Sequence, residues 1–306
     1  MSKVKVGSRG SKLALWQTDH VMQRLAQDDP LNTYEKVIIK TKGDKLLDVA
    51  LSKIGDKGLF TKEIEHEILS GAVDLAVHSM KDLPTMVPEG LMVGAVLARE
   101  NPRDVLLAKE GLKLADLPKG ARIGTSSLRR RAQLMLVRQD LDIVELRGNI
   151  DTRIKRLLDG ELDAIILAYA GVSRLAYQDL ITEELSFLPA VGQGAIAIEI
   201  RNNDERVHSL VNRLDDKDTR VAVTAERAFL RAMEGGCQIP IGALAVVHNG
   251  ELELEGLVAD LEGVRVYRDR ISGPIDLAEE LGIQLARHLL NQGADTVLRE
   301  IRQQEQ

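Results

Sequence analysis

The run Val73-Asp74-Leu75-Ala76-Val77-His78 reads as a strand, and it leads into Ser79-Met80-Lys81-Asp82-Leu83-Pro84. A proline disfavours helical backbone in the residue before it, so Lys81 and Asp82 are expected on a constrained turn at the strand's carboxyl end. A carboxylate there can give or take protons, or stabilise a developing cation, and Lys81 beside it favours the ionised form. The competing reading is a turn aspartate bonded to its own backbone, and the local sequence leaves both open. His78 is the one histidine on such a strand. No HxxxH, CxxC or zinc-like spacing accompanies it, so it reads as a satisfied strand-end side chain and no metal is expected.

Arginines supply a second kind of chemistry. Arg129, Arg130 and Arg131 open one helix, Arg147 ends a strand before Gly148-Asn149, and Arg153 and Arg174 sit at helix starts or ends. Several converge on one strand-carboxyl edge, where guanidinium forks suit a polycarboxylate or phosphate; a solvated basic face is the alternative. Arg131 reads as surface. Two turns echo each other, Gly7-Ser8-Arg9-Gly10-Ser11 and Gly124-Thr125-Ser126-Ser127-Leu128. In each, hydroxyls can cap the following helix, or free N–H groups can hold an anion. Lys53 and Lys57, in Lys53-Ile54-Gly55-Asp56-Lys57-Gly58, fit a mobile lid, an anion clamp or a solvated loop.

The single cysteine, Cys237, lies in Gly235-Gly236-Cys237-Gln238-Ile239-Pro240. One thiol makes neither an internal disulfide nor a cysteine-rich zinc site, which leaves a buried spectator, a nucleophile or a covalent tether. It follows a helix end and Glu234, an environment that disfavours the thiolate. That argues against a nucleophile recruited at every turnover and suits a thiol that reacts once and keeps its adduct.

The elements that must position these residues come as alternating short apolar runs and helix-period segments. Strands are expected at Val4–Gly7, Val37–Ile39, Leu75–His78 and Leu91–Val96, then at Arg122–Gly124, Ile143–Leu146 and Ala164–Leu167. Helices are expected at Leu13–Gln27, Thr61–Ser70, Leu128–Arg138, Ile150–Leu158 and Ala170–Leu175. The rhythm predicts an α/β protein with two βαβ lobes, each an open parallel sheet, like a periplasmic binding protein. Connections at Ala98–Arg103 and Leu188–Gly194 imply two crossings and a hinged cleft, with Ala195–Glu199 rejoining the first sheet. The expected lobes are 1–97 with 196–215, and 103–190. A smaller α+β domain over 220–306 carries Cys237.

Composition narrows the function classes. The chain has 306 residues, and its formal charge of −6 argues against nucleic acid; its 41 basic residues comprise 25 arginines and 16 lysines. No apolar run approaches the ~18 residues of a membrane span, and the amino terminus has no signal-like segment. A cytoplasmic protein, where a free thiol survives, is expected.

Taken together, eight ordered stretches resemble the porphobilinogen deaminase, or hydroxymethylbilane synthase, family. They are Gly7-Ser8-Arg9 with Lys12-Leu13-Ala14-Leu15, Thr41-Lys42-Gly43-Asp44, Lys57-Gly58-Leu59-Phe60 and Ala76-Val77-His78-Ser79-Met80-Lys81-Asp82. The remainder are Gly124-Thr125-Ser126-Ser127-Leu128-Arg129-Arg130, Leu146-Arg147-Gly148-Asn149, Pro189-Ala190-Val191-Gly192-Gln193-Gly194 and the Cys237 loop. The resemblance implies a transferase of haem and other tetrapyrrole synthesis that joins four porphobilinogen molecules head to tail and releases ammonia and hydroxymethylbilane. It implies a dipyrromethane cofactor bound to Cys237 through a thioether, Asp82 as the catalytic carboxylate, and a monomer. Ser79, Lys81, Asp82, Thr125, Ser127, Arg129, Arg130, Arg147 and Gly148 fall on cofactor-binding positions. Arg9, Ser11, Lys53, Lys57, Phe60, Arg147, Arg153, Arg174 and Gln193 fall on substrate-binding ones. Asp56 departs from the family's glycine and places a negative charge beside Lys57.

Overall fold

Lys3 and Lys5 face solvent while Val4 and Val6 are buried, the period-2 alternation that makes Lys3–Ser8 a strand, β1. In the computed structural model, residues 2–45, 58–233 and 239–304 are described. They fall into two compact units. The first draws on residues 2–45, 58–100 and 194–220, the second on 101–193, 221–233 and 239–304.

In the first unit, β1 is joined by β2 (Thr33–Ile38), β3 (Leu75–Ser79), β4 (Leu91–Val96) and β10 (Ile196–Arg201), in the order β2-β1-β3-β10-β4. The helix Lys12–Asp28 buries Ala14, Gln17, Thr18, Val21 and Leu25, one stripe at helical spacing, and Ser11 caps it by accepting from the Ala14 N–H. One sheet face is covered by a core that includes Val4, Val21, Leu25 and Ile198; the other packs Ile64 and Ile68 of the helix Lys62–Leu69.

The second unit repeats this plan with β5 (Asp104–Ala108), β6 (Arg122–Gly124), β7 (Asp142–Val144), β8 (Ala164–Ala168) and β9 (Glu183–Leu185), ordered β7-β6-β8-β5-β9. Neither sheet is wholly parallel, which corrects the expectation. β10 runs antiparallel to β3 and β4, and β5 antiparallel to β8 and β9. These two strands follow the two chain crossings rather than a crossover helix, so nothing returns the chain to the parallel starting edge.

The rest of the second unit is a three-stranded antiparallel sheet of β11 (Ile241–His248), β12 (Glu251–Ala259) and β13 (Val266–Pro274). Phe229 of the helix Lys217–Ala232 and Leu285 of the helix Ala278–Leu289 fill its core. Gly256 permits this packing: a Cβ there would stand 2.6 Å from the Phe229 ring. Leu257 and Ala259 pack on Ala132 and Leu188, tying this sheet to the helix Leu128–Val137. No helix among the described residues is long and apolar enough to cross a membrane.

Candidate active site

β3 is a central strand whose first four residues are buried, and it delivers the chain to a short 3-10 turn, Met80–Asp82. The Met80 N–H donates to the Ala195 carbonyl at 3.0 Å, the Leu83 N–H donates to the Met80 carbonyl at 3.2 Å, and the Met80 side chain is buried. Leu83 has φ −77° and ψ 134°, the extended backbone that Pro84 demands. Asp82 is thereby held exposed at the strand's carboxyl end, with Lys81 half-buried next to it.

Arg9, Ser11, Gln17, Phe60, Ser79 and Asp82 line one pocket, with His78 and Thr61 in its wall, around about 390 Å3 of space open to solvent. Arg9 is fixed in three ways. Its Nη2 donates to Asp44 Oδ1 at 2.5 Å, its Nε to the same oxygen at 3.2 Å, and its guanidinium lies 4.1 Å from the Phe60 ring centroid. Burial opposes the Asp44 charge, but Arg9 and Thr41 outweigh it and hold the carboxyl below its ordinary range. Gly43 admits the ring, since a Cβ there would lie 2.2 Å from it. Ser79 Oγ accepts from Gln17 Nε2 at 3.0 Å.

The second unit holds a charge cluster that the sequence did not disclose, centred on Asp104 at the start of β5. Arg130 donates from Nε and Nη2 to Asp104 Oδ1, at 3.1 and 2.8 Å, and Arg129 Nη1 donates to Oδ2 at 2.6 Å. Gln193 Nε2 reaches Oδ1 at 2.9 Å and the Pro102 carbonyl at 2.7 Å. The Leu188 and Ile166 carbonyls accept from Arg129 and Arg130. All four side chains are buried. Burial alone would raise the Asp104 carboxyl; the two guanidiniums hold it far below its ordinary range. Among the described residues one carboxylate faces the two guanidiniums, which leaves a net positive charge buried in the cluster.

The other predicted residues gather at the carboxyl ends of β6, β7 and β8. Thr125 Oγ1 accepts from the Ser127 N–H at 3.2 Å, and Ser127 caps the helix Leu128–Val137 by accepting from the Arg130 N–H. Arg147 Nε bonds Glu145 at 2.7 Å, and Arg153 Nε bonds the Gly148 carbonyl at 2.8 Å, where Gly148 has φ 102°. Arg174 ends the helix Tyr169–Arg174 that follows β8. Cys237, Lys53 and Lys57 lie outside the described residues. Among the described residues, no group of three or more His, Cys, Asp or Glu side chains is placed to hold a metal ion.

Residues 4–209 match the family model described as porphobilinogen deaminase, dipyromethane cofactor binding domain, and residues 221–291 match that family's C-terminal domain. The chain belongs to the porphobilinogen deaminase family. It is 55% identical over 303 residues to a porphobilinogen deaminase of Carboxydothermus hydrogenoformans, covering 98% of this chain and 97% of the relative. A porphobilinogen deaminase of Moorella thermoacetica is 53% identical, covering 99% and 98%. The periplasmic VFT2 domain of Bordetella pertussis BvgS is 16% identical with a TM-score of 0.42, covering 70% of this chain and 86% of that one. The Asp82 turn and the Asp104 cluster both fall inside the cofactor-domain match of this family.

Proposed function

We propose that this chain condenses four porphobilinogen molecules head to tail, releasing ammonia and forming hydroxymethylbilane for haem and other tetrapyrrole synthesis, as a monomeric cytoplasmic transferase. The observation that carries the reading is an exposed aspartate on a rigid turn, beside a clamped arginine, in a chain that matches the family over nearly its whole length. The lobes are assigned to 1–97 with 196–215 and to 103–190, and the domain over 220–306 carries a dipyrromethane joined to Cys237 by a thioether. When bound, that group supplies a primer with a nucleophilic α-position.

The chain's own residues do the rest. Asp82 protects the positive charge that develops as the amine departs, then accepts the α-proton after coupling. Arg9, Arg147, Arg153 and Arg174 take the substrate's acetate and propionate groups, with Ser11 and Phe60 shaping the pocket and Lys53 and Lys57 adding charge. Thr125, Ser127, Gly148 and Ser79 offer polar contacts to the cofactor, and Lys81 adds charge beside Asp82. Arg129 and Arg130 meet its carboxylates with the charge Asp104 leaves uncompensated, and Gln193 acts by bracing that carboxylate.

Ammonia release is the test. Purified protein given porphobilinogen is expected to release one ammonia per molecule consumed and four per hydroxymethylbilane formed. Binding of porphobilinogen without ammonia release would place the chain among non-catalytic anion binders instead.

A further inference from the structure

Sheet register creates a buried ionisable chamber behind the pocket. His78 on β3 stands opposite Ala197 of β10, and Glu199 stands opposite Ala76. Opposed residues of an antiparallel pair share a face, and so do residues two apart, so all four project to one side. The two alanines place only methyl groups beside the longer side chains. The helix Lys62–Leu69 packs over this face and adds Glu65. His78, Glu65 and Glu199 are 5%, 6% and 0% exposed.

This chamber is under-satisfied. His78 Nε2 and Glu199 Oε2 are 3.1 Å apart, but their alignment does not make a hydrogen bond. Among the described residues, neither Glu199 oxygen nor Glu65 Oε1 has a hydrogen-bond partner. The Thr61 hydroxyl sits beside Glu65 without good alignment. Desolvating a charged group costs several kcal/mol even after relaxation, so two carboxylates and one imidazole in such a space favour keeping a proton among them. Burial first, then the Glu199 charge, lift the Glu65 carboxyl above its ordinary range, while Thr61, His78 and Lys62 oppose. His78 is also one of the residues that line the pocket with Asp82.

We propose that His78, Glu199 and Glu65 form a proton store behind the pocket, with His78 the positioning residue through which Asp82 is relieved of the proton it collects. The inference rests on the function proposed above. The substrate's ammonium leaves as ammonia when its carbon–nitrogen bond breaks with the electron pair on nitrogen. The α-carbon that forms the new carbon–carbon bond then gives its proton to Asp82. That proton passes to the store and on to solvent, which restores the carboxylate for the next addition; no oxidant or reductant is involved. The charged groups that meet this cluster are Glu199, 3.1 Å from His78, and Glu65, on which His78, Glu199 and Lys62 act, while Arg9 and Asp82 share the pocket lining with His78.

The first test is carbon NMR titration of the Glu65 carboxyl, which needs no turnover. Its midpoint is expected above the ordinary ~4.3 of glutamate, to fall in Glu199→Gln and to rise in His78→Asn. A midpoint that ignores both substitutions overturns the shared store. The second is the pH profile of kcat. In Glu65→Gln and His78→Asn, kcat is expected to fall about tenfold or more with a displaced profile, while KM and the adduct mass stay as in the wild type. Folded variants with an unmoved profile, or with changes confined to KM, overturn the relay. If the wild type releases no ammonia, the proposed function fails, and the titration still judges the chamber.

Discussion

Asp82→Asn is expected to keep its covalent adduct and lose turnover by roughly 10²–10⁴-fold, the range over which a positioned acid–base group contributes. Asparagine has nearly the same shape but cannot take a proton or offset a positive charge. The fold gives no reason for the variant to be destabilised. The turn is held by the Met80 N–H on the Ala195 carbonyl, the Leu83 N–H on the Met80 carbonyl, and Pro84, and none of these uses the carboxylate. KM should change little, because the substrate's carboxylates are assigned to arginines. An intact mass paired with single-turnover ammonia release separates the two effects. A near-normal rate in the adduct-bearing variant would remove Asp82 from the chemistry.

Asp104→Ala should have the largest effect on stability. It leaves Arg129 and Arg130 buried on two carbonyls, without the carboxylate that both share. Breaking a buried pair by removing one partner costs about 3–5 kcal/mol, which in a unit of this size lowers Tm by roughly 6–20 °C. Asp104→Asn keeps a hydrogen-bond acceptor and should fall between. Because the folded carboxyl is held below its unfolded value, its stabilisation is present above the unfolded value near ~3.9 and is lost as pH falls below it. The wild type and Asp104→Asn should therefore differ most at neutral pH and converge in strong acid, as read by thermal unfolding. A difference that grows on acidification would contradict this account.

The two aspartates also show what the sequence makes legible. The Asp82 turn follows from local facts alone, an apolar strand and a proline two residues later, and it forms where those facts place it. Ser11 and Ser127 likewise cap the helices that follow them. Asp104 was missed because its partners are 25, 26 and 89 residues away, and because Asp104–Ala108 directly follows a stretch that reads as a connection. A central strand buried on both faces gives only a short apolar run, without alternation to mark it. The burial of Arg129 and Arg130 was hidden for a related reason. Adjacent arginines at a helix start read as an anion-binding cluster or a solvated face, and neither reading supplies the buried carboxylate of a distant strand that receives them. Strand direction in β5 and β10 was equally invisible, since apolar patterning has no sign along the chain.

The tether is the most exposed part of this account. If Cys237 carries a dipyrromethane, the intact mass of the purified protein exceeds that of the 306-residue chain by two pyrrole rings with their side chains, and Cys237→Ser loses both the excess and the activity. An unmodified chain that releases ammonia from porphobilinogen at full rate would contradict it.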